Sequence, residues 1–464
     1  MQDLSTIVKA YDIRGVVPDQ LNEDVARAVG AAFAEVLDFP ESVAVGHDMR
    51  PSSVPLSTAF AEGVTSRGTN VVVIGLASTD QLYYASGFLD MPGAMFTASH
   101  NPAQYNGIKL CRAGAAPVGQ DTGLAQIREL AERLLAGPAG SAGSVGPPDG
   151  DGARGVVEQR DVLAGYATHL RSLVPLEGIR PLTVVVDAGN GMAGHTVPAV
   201  LDVPGLTVVP MYFELDGTFP HHEANPIEPE NLRDLQAAVQ DHGADLGLAF
   251  DGDADRCFVV DERGKAVNPS ALTALIATRE LERAPGQRVV HNLITSRAVP
   301  EIVREHGGEP IRTRVGHSFI KQTMAETGAV FGGEHSAHFY FRDFWRADSG
   351  MLAALHTLAA LGGSPVGTTL SELIAPYERY VSSGEINSTV TDQAGVMAAV
   401  EEAFAGREGV RVDHLDGLSV EHEDWWFNLR PSNTEPLLRL NAEAVDEPTM
   451  ETIRDDVLGI IRAS

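Results

Sequence analysis

Residues 246 to 260 read Leu246-Gly247-Leu248-Ala249-Phe250-Asp251-Gly252-Asp253-Ala254-Asp255-Arg256-Cys257-Phe258-Val259-Val260. Two apolar runs, Leu246 to Phe250 and Cys257 to Val260, enclose three aspartates at alternate positions, a strand–turn–strand pattern that brings three carboxylates to one side. At an effective dielectric of 20, each close pair of these charges repels by about 4 kcal/mol. A hard cation relieves that repulsion. Oxygen-only ligands suit Mg²⁺ or Ca²⁺, and Mg²⁺ is the natural companion of a phosphoryl group. A calcium loop is the rival, because Asp251, Asp253, Asp255 and Glu262 fall on ligand positions of the twelve-residue EF-hand pattern. That pattern needs glycine where Arg256 stands, and it needs flanking helices where strands are indicated. A merely solvated acidic turn is the blandest alternative, and the small spacers Gly252 and Ala254 between apolar strands weigh against it.

Outward from this stretch, apolar β-branched runs recur, among them Ser42 to Gly46, Leu182 to Asp187 and Arg288 to His291. Each is followed by a polar turn and a helical pattern, which is the alternation of parallel α/β units. The architecture repeats about three times at intervals of roughly a hundred residues, a usual domain size. The clearest break is Gly137 to Gly152, rich in Gly, Pro, Ala and Ser. A second, Gly362-Gly363-Ser364-Pro365, follows a helical pattern from Met351 to Leu361. From about Tyr380 the texture changes to short runs, Trp425 to Leu429 and Leu437 to Ala442, closed by a helical stretch near Thr449 to Arg462. This reads as a small α+β domain.

The 464 residues exceed what one core usually organises, and 44% hydrophobic with 21% charged residues describes an ordinary globular chain. A net charge of -29 argues against nucleic acid or an anionic membrane surface as partner. An anionic ligand would have to be captured by local basic residues. The two cysteines, Cys111 and Cys257, lie far apart without metal-type pairing. With no basic-then-apolar leader and no run long enough to span a membrane, a cytoplasmic location is expected.

Three further loops carry chemistry. Thr97-Ala98-Ser99-His100-Asn101-Pro102 follows an apolar run ending at Phe96 and precedes Asn106-Gly107 and Lys109. Asn-Pro and Asn-Gly force turns, so Ser99 sits on a tight loop at a strand end, where open α/β sheets bind ligands. A serine that only caps a turn is the ordinary alternative; the G-x-S-x-G elbow of acyl hydrolases is absent. Gly333-Glu334-His335-Ser336-Ala337-His338 offers a glutamate and a serine for sugar hydroxyls. A metal site at His335 and His338 competes, without further ligands at zinc-like spacing. Arg430-Pro431-Ser432-Asn433-Thr434-Glu435-Pro436 supplies a guanidinium and short polar side chains suited to a phosphate dianion, although such residues between prolines are also common loop chemistry. One decoy is Gly189-Asn190-Gly191-Met192-Ala193-Gly194 with Glu214 downstream, which matches the dinucleotide-binding pattern of an NAD-binding oxidoreductase. Nothing else in the chain supplies hydride chemistry.

Taken in this order, from Lys9-Ala10-Tyr11-Asp12-Ile13-Arg14-Gly15 to Arg430, the loops resemble those of the α-D-phosphohexomutase superfamily, most closely its bacterial phosphomannomutase/phosphoglucomutase branch. The resemblance implies four domains around a central cleft, three related mixed α/β domains and a smaller C-terminal α+β domain. On this chain they would be residues 1–150 with the phosphoserine loop, 151–265 with the metal loop, 266–375 for sugar recognition and 376–464 for phosphate binding. It implies that Ser99 carries the phosphoryl group and that Asp251, Asp253 and Asp255 bind one Mg²⁺ together with it. Glu334 and Ser336 would hold ring hydroxyls, and Arg430, Ser432, Asn433 and Thr434 the nonreacting phosphate. Tyr11, Arg14, Lys109, Arg256, His317 and His338 match further cleft positions, with the His317 imidazole suited to general-base work.

The reaction so implied is the interconversion of mannose 6-phosphate and mannose 1-phosphate through a hexose 1,6-bisphosphate, which would also serve as activator. Action on glucose phosphates is expected as well. Phosphoglucomutase and phosphoglucosamine mutase are the alternatives inside the family; an NAD-binding oxidoreductase and a calcium-binding module are those outside it. A monomer or homodimer is expected. The chain departs from the family at Ile294, where related enzymes often have lysine; Arg297 is the nearest replacement.

Overall fold

The computed structural model describes residues 3–137, 153–432 and 437–463. Most of the expected break, from residue 138 to 152, lies outside the described residues. The chain divides into two compact units, Met1–Val267 with Ser336–Ser371, and Asn268–His335 with Glu372–Ser464. It carries three mixed α/β sheets and an antiparallel C-terminal one, the fold class expected of three α/β domains and a C-terminal α+β domain.

In the first unit one sheet runs in the order Ile13–Val16, Tyr105–Arg112, Gly93–Phe96, Ser42–His47, Asn70–Leu76, Val157–Gln159. Ser42–His47 pairs in parallel with both Asn70–Leu76 and Gly93–Phe96. Helices on both faces explain why these strands read as unbroken apolar runs rather than as an alternation. Helix Glu23–Val36 starts at Asn22, whose side chain accepts from Val25 N, with Glu23 and Asp24 at its positive end. It buries Val25, Val29 and Phe33 in the core. There Phe60 lies 5.9 Å from Phe33 and meets Phe96 edge-on at 5.4 Å.

The second sheet has the order Cys257–Asp261, Leu246–Phe250, Leu182–Asp187, Leu206–Met211. Leu246–Phe250 is parallel to Leu182–Asp187 but antiparallel to Cys257–Asp261, with Phe250 opposite Cys257. The acidic stretch is therefore the loop of a two-stranded hairpin, as its flanking apolar runs require, and no EF-hand helices flank it.

A buried carboxylate joins three helices of this unit. Asp80, in the first turn of Thr79–Phe88, accepts from Ser78 Oγ, from Tyr166 OH at 2.8 Å on helix Leu163–Leu173 and from Ser349 Oγ at 2.6 Å. Ser349 in turn caps helix Gly350–Gly362. Burial raises the Asp80 carboxyl to about 6. The folded protein thus holds this proton more tightly than the unfolded chain does. The resulting stability is complete below pH 4 and is lost as pH rises through 6. Asp80→Asn should flatten that decline, which amounts to at most about 3 kcal/mol. Thermal unfolding of both proteins from pH 4.5 to 7.5 measures it, and parallel curves would refute it.

The second unit holds the parallel strands Glu309–Thr313, Arg288–Asn292 and Phe331–Gly333. It also holds an antiparallel sheet in the order Val381–Thr389, Leu437–Ala444, Trp425–Pro431, Leu418–Glu421, Arg411–Asp413. Helices Gln393–Ala405 and Glu447–Ala463 close its core through Val400, Phe404 and Val457. Ile294, where the family pattern has lysine, packs with Leu293 and Trp426. Arg297 donates to the carbonyls of Glu423 at 2.6 Å, His422 at 2.9 Å and Trp425 at 3.3 Å, so its guanidinium is occupied with the C-terminal sheet.

Candidate active site

Four loops at the carboxyl ends of parallel strands meet in the first unit. They begin at Asp48, Ala77, Thr97 and Asp251. After strand Gly93–Phe96 the chain turns at once: Ser99 N donates to Thr97 Oγ1 at 2.9 Å and Asn101 N to Ala98 O at 3.0 Å. Ser99 has φ 50°. A left-handed conformation costs a non-glycine residue roughly 1–2 kcal/mol and persists only where its surroundings impose it. It aims the hydroxyl out of the turn, where Oγ donates to Asp251 Oδ2 at 2.7 Å and lies 3.2 Å from His100 Nδ1. Burial, with the charges of Arg256 and Arg14, lowers the His100 imidazole well below its ordinary value and keeps it neutral.

Asp251, Asp253 and Asp255 are all buried, and one carboxylate oxygen of each lies within 4.8 Å of the others. Gly252 makes this approach possible, since a Cβ there would sit 2.4 Å from the Ser99 carbonyl oxygen. Gly191, from the dinucleotide-like motif, packs against the other side of the same loop, where a Cβ would come 2.7 Å from Gly252 O. Met192 N donates to that carbonyl at 2.9 Å. The glycine pattern therefore serves close packing beneath the aspartate loop.

The charges are partly compensated from within. Lys109 Nζ donates to Asp253 Oδ2 and Asp255 Oδ2, each at 2.6 Å, and Thr79 Oγ1 donates to Asp253 Oδ2 at 2.6 Å. Arg256 Nε donates to Asp251 Oδ2 at 2.9 Å. Burial opposes the charge on Asp253, but Lys109 and Thr79 hold its carboxyl far below the usual range. Burial also opposes the charge on Lys109, and the two carboxylates nonetheless raise it well above the ordinary lysine value. Burial pushes the Asp251 carboxyl up to about 7, with Asp255 and Asp253 adding to the effect and Arg256 opposing it. Asp253 Oδ1 and Asp255 Oδ1 are buried without a hydrogen-bond partner. Two buried carboxylate oxygens left in that condition are costly, and a hard divalent cation is the partner they fit.

Arg14 and His338, also expected in the site, reach the serine and aspartate loops. Arg14 donates from Nη1 to Asn101 Oδ1 at 2.5 Å and from Nη2 to Asp12 Oδ2 at 2.6 Å. Tyr11 is half-buried in the bend before strand Ile13–Val16. Ser336 Oγ is 3.0 Å from His338 Nδ1, whose Nε2 is 3.7 Å from Asp255 Oδ1. Ala254 and Ala337 share the left-handed backbone of Ser99, at φ 59° and 65°. Among the described residues His335 joins no group able to hold a metal, whereas His338 does so with Asp255 and Asp348.

In the second unit Glu334, at the end of Phe331–Gly333, accepts at Oε1 from Gly316 N and Asn292 Nδ2, both at 3.2 Å. His317 opens helix His317–Thr327; its side chain lies outside the described residues. Arg430 donates to Glu385 Oε2 at 2.9 Å, and Ser432 N donates to Leu437 O at 2.9 Å. Asn433 and Thr434 lie outside the described residues. Sequence reasoning passed over Arg50, Thr79 and Asp80. Their one visible signal was position, just after the runs ending at His47 and Leu76.

Known proteins match this chain along its length. Sequence models of phosphoglucomutase/phosphomannomutase match domain I at residues 5–136, domain II at 164–264, domain III at 268–380 and the C-terminal domain at 385–460. A phosphomannomutase of Salmonella montevideo is 40% identical over 467 residues, covering 99% of either chain. A protein of Xanthomonas campestris described as phosphohexose mutases is 41% identical over 457 residues, covering 98% of each. A crystal structure of a phosphoglucomutase/phosphomannomutase family protein from Burkholderia thailandensis is 33% identical and superimposes with a TM-score of 0.86, covering 99% of this chain and 97% of its own.

Proposed function

The chain belongs to the phosphoglucomutase/phosphomannomutase family of isomerases, the intramolecular phosphotransferases, and from that premise we propose that it is a phosphomannomutase. It interconverts mannose 6-phosphate and mannose 1-phosphate through phosphoserine at Ser99 and a hexose 1,6-bisphosphate, with glucose phosphates as secondary substrates. The observation that carries this reading is the Ser99 hydroxyl, 2.7 Å from Asp251 within a buried aspartate trio.

Phosphoserine donates to the free sugar hydroxyl, whose proton passes to His317; the bisphosphate then turns over and returns its other phosphate to Ser99. Asp251, Asp253 and Asp255, whose carboxylate oxygens lie within 4.8 Å of one another, would hold one Mg²⁺. When bound, such an ion would supply charge neutralisation for phosphoryl transfer. Lys109, Arg14 and Arg256 add cationic stabilisation from fixed positions. Tyr11, Ser336, His338 and Glu334 fix the sugar. Arg430, Ser432, Asn433 and Thr434 hold the phosphate that does not react. The enzyme works in the cytoplasm as a monomer or homodimer, and a hexose 1,6-bisphosphate primes any serine purified without phosphate.

A coupled assay with mannose 1-phosphate and glucose 1-phosphate, Mg²⁺ and catalytic glucose 1,6-bisphosphate tests the reading. Turnover of mannose 1-phosphate at the higher kcat/KM is expected. Preference for glucose or glucosamine phosphates would move the chain to another branch of the family.

A subsidiary expectation concerns Glu385. Arg430 and Arg439 stand directly opposite on neighbouring strands, a repulsive pairing, and both donate to Glu385, at 2.9 and 3.2 Å. Glu385→Gln should leave one net positive charge more beside the phosphate. An exposed ion pair is worth less than about 1 kcal/mol, so the KM for mannose 1-phosphate should fall about threefold with kcat unchanged. Steady-state kinetics at low ionic strength checks it.

A further inference from the structure

We propose that Arg50 is a positioning residue that holds the Ser99 backbone in the one conformation from which its hydroxyl faces Asp251, an inference that rests on Ser99 being the phosphoryl carrier. The Arg50 and Asp48 side chains are both fully buried. A guanidinium has five N–H donors in a rigid fork. Here each has an acceptor. Nε donates to Asp48 Oδ2 at 3.2 Å, Nη1 to the carbonyls of Pro102 and Tyr105 at 3.0 and 3.1 Å, and Nη2 to those of Ser99 and Asn101 at 2.9 and 2.7 Å. Four carbonyls of the Ser99 turn thus converge on one cation.

That convergence answers two needs of the local chain. Three of those carbonyls, at Ser99, Asn101 and Pro102, lie in the turn ahead of strand Tyr105–Arg112, and buried carbonyls require donors. The left-handed Ser99 backbone, moreover, stays in place only if something other than its own preference fixes the peptide. The Ser99 carbonyl is fixed from two directions: Arg50 Nη2 on one side, and Gly252 on the other, where a Cβ would lie 2.4 Å away. The serine is thereby set against the aspartate loop itself.

Neighbouring groups hold Arg50 itself in place. Asp48 also accepts from Arg50 N at 3.0 Å and from Ser53 Oγ at 2.5 Å. The Phe219 ring lies under the guanidinium, 4.9 Å from centroid to Cζ, and Gly217 packs so closely that a Cβ would be 2.6 Å from Arg50 Cα. Arg50 therefore transmits the position of the loop at 217–219 to the reacting serine without touching substrate.

Arg50→Lys is the informative substitution, because an ammonium keeps the charge but cannot span four carbonyls. Misplacement of a reacting atom by about 1 Å costs on the order of 10²-fold. We expect kcat per phosphorylatable serine to fall about a hundredfold, with KM for mannose 1-phosphate within twofold of wild type. The single-turnover rate at which hexose 1,6-bisphosphate phosphorylates Ser99 should fall in parallel. A merely structural arginine would instead reduce the folded fraction and leave kcat per titrated site unchanged, and that outcome would overturn the proposal. Should Arg50→Lys not fold, Phe219→Leu keeps the fork and removes its ring; a kcat reduced severalfold at constant KM is then expected, and an unchanged kcat refutes it. Wild-type protein inactive on all hexose phosphates would reject the carrier reading, whereas active wild type with fully active Arg50→Lys rejects this inference alone.

Discussion

Ser99→Ala is expected to lower kcat by about 10⁴-fold or more, the loss usual when a covalent nucleophile is deleted. The substitution removes the donor of the 2.7 Å bond to Asp251 and nothing that the core depends on. Alanine is neither better nor worse than serine at φ 50°, so the turn held by Arg50 should persist. The variant should unfold at nearly the wild-type temperature, and protein incubated with labelled hexose 1,6-bisphosphate should carry no phosphate. Intact-mass and peptide analysis of both proteins decides the matter. Full activity in Ser99→Ala would remove the serine from the mechanism.

The second large effect is expected at Lys109. Its ammonium is the near partner of two carboxylates, Asp253 and Asp255, whose other oxygens already lack hydrogen bonds. Removing one member of a buried ion pair costs about 3–5 kcal/mol, chiefly because the remaining charge is left uncompensated. Lys109→Met should therefore be destabilised by about 4 kcal/mol in EDTA. A divalent ion that binds only the folded loop stabilises it by mass action. Saturating Mg²⁺ should accordingly restore more stability to Lys109→Met than to wild type, while kcat stays low because a cation at the phosphoryl group is missing. Thermal unfolding of the two proteins in EDTA and in Mg²⁺ gives the comparison. Equal Mg²⁺ shifts for both would mean that the carboxylates do not share one ion with Lys109.

The parts of this site that the sequence discloses are those with a local grammar. Asn101-Pro102 marks the Ser99 turn, and three aspartates at alternate positions between apolar runs mark the hairpin loop, because spacing along the chain there equals spacing in space. Arg50 has no such grammar. Its partners are backbone carbonyls contributed by residues 99 to 105, and carbonyls look the same whatever the residue. Asp80 reads as an ordinary acid in a helix first turn, favoured there by the dipole; its burial depends on Tyr166 and Ser349, far along the chain. The motif at Gly189 to Gly194 misleads for the opposite reason. Its local pattern is that of a nucleotide loop, but its glycine is needed for contact with Gly252.

The bond from Ser349 to Asp80 spans 269 positions of sequence. During synthesis at roughly 5–20 residues per second, the amino-terminal strands emerge and can pair on the order of tens of seconds before helix Gly350–Gly362 exists. Throughout that interval Asp80 must be met by water or by a chaperone instead of by Ser349. Nascent chains halted near residue 270 should therefore be more easily cut by protease around Thr79–Phe88 than chains extended past residue 371, although both contain every residue of the serine and aspartate loops.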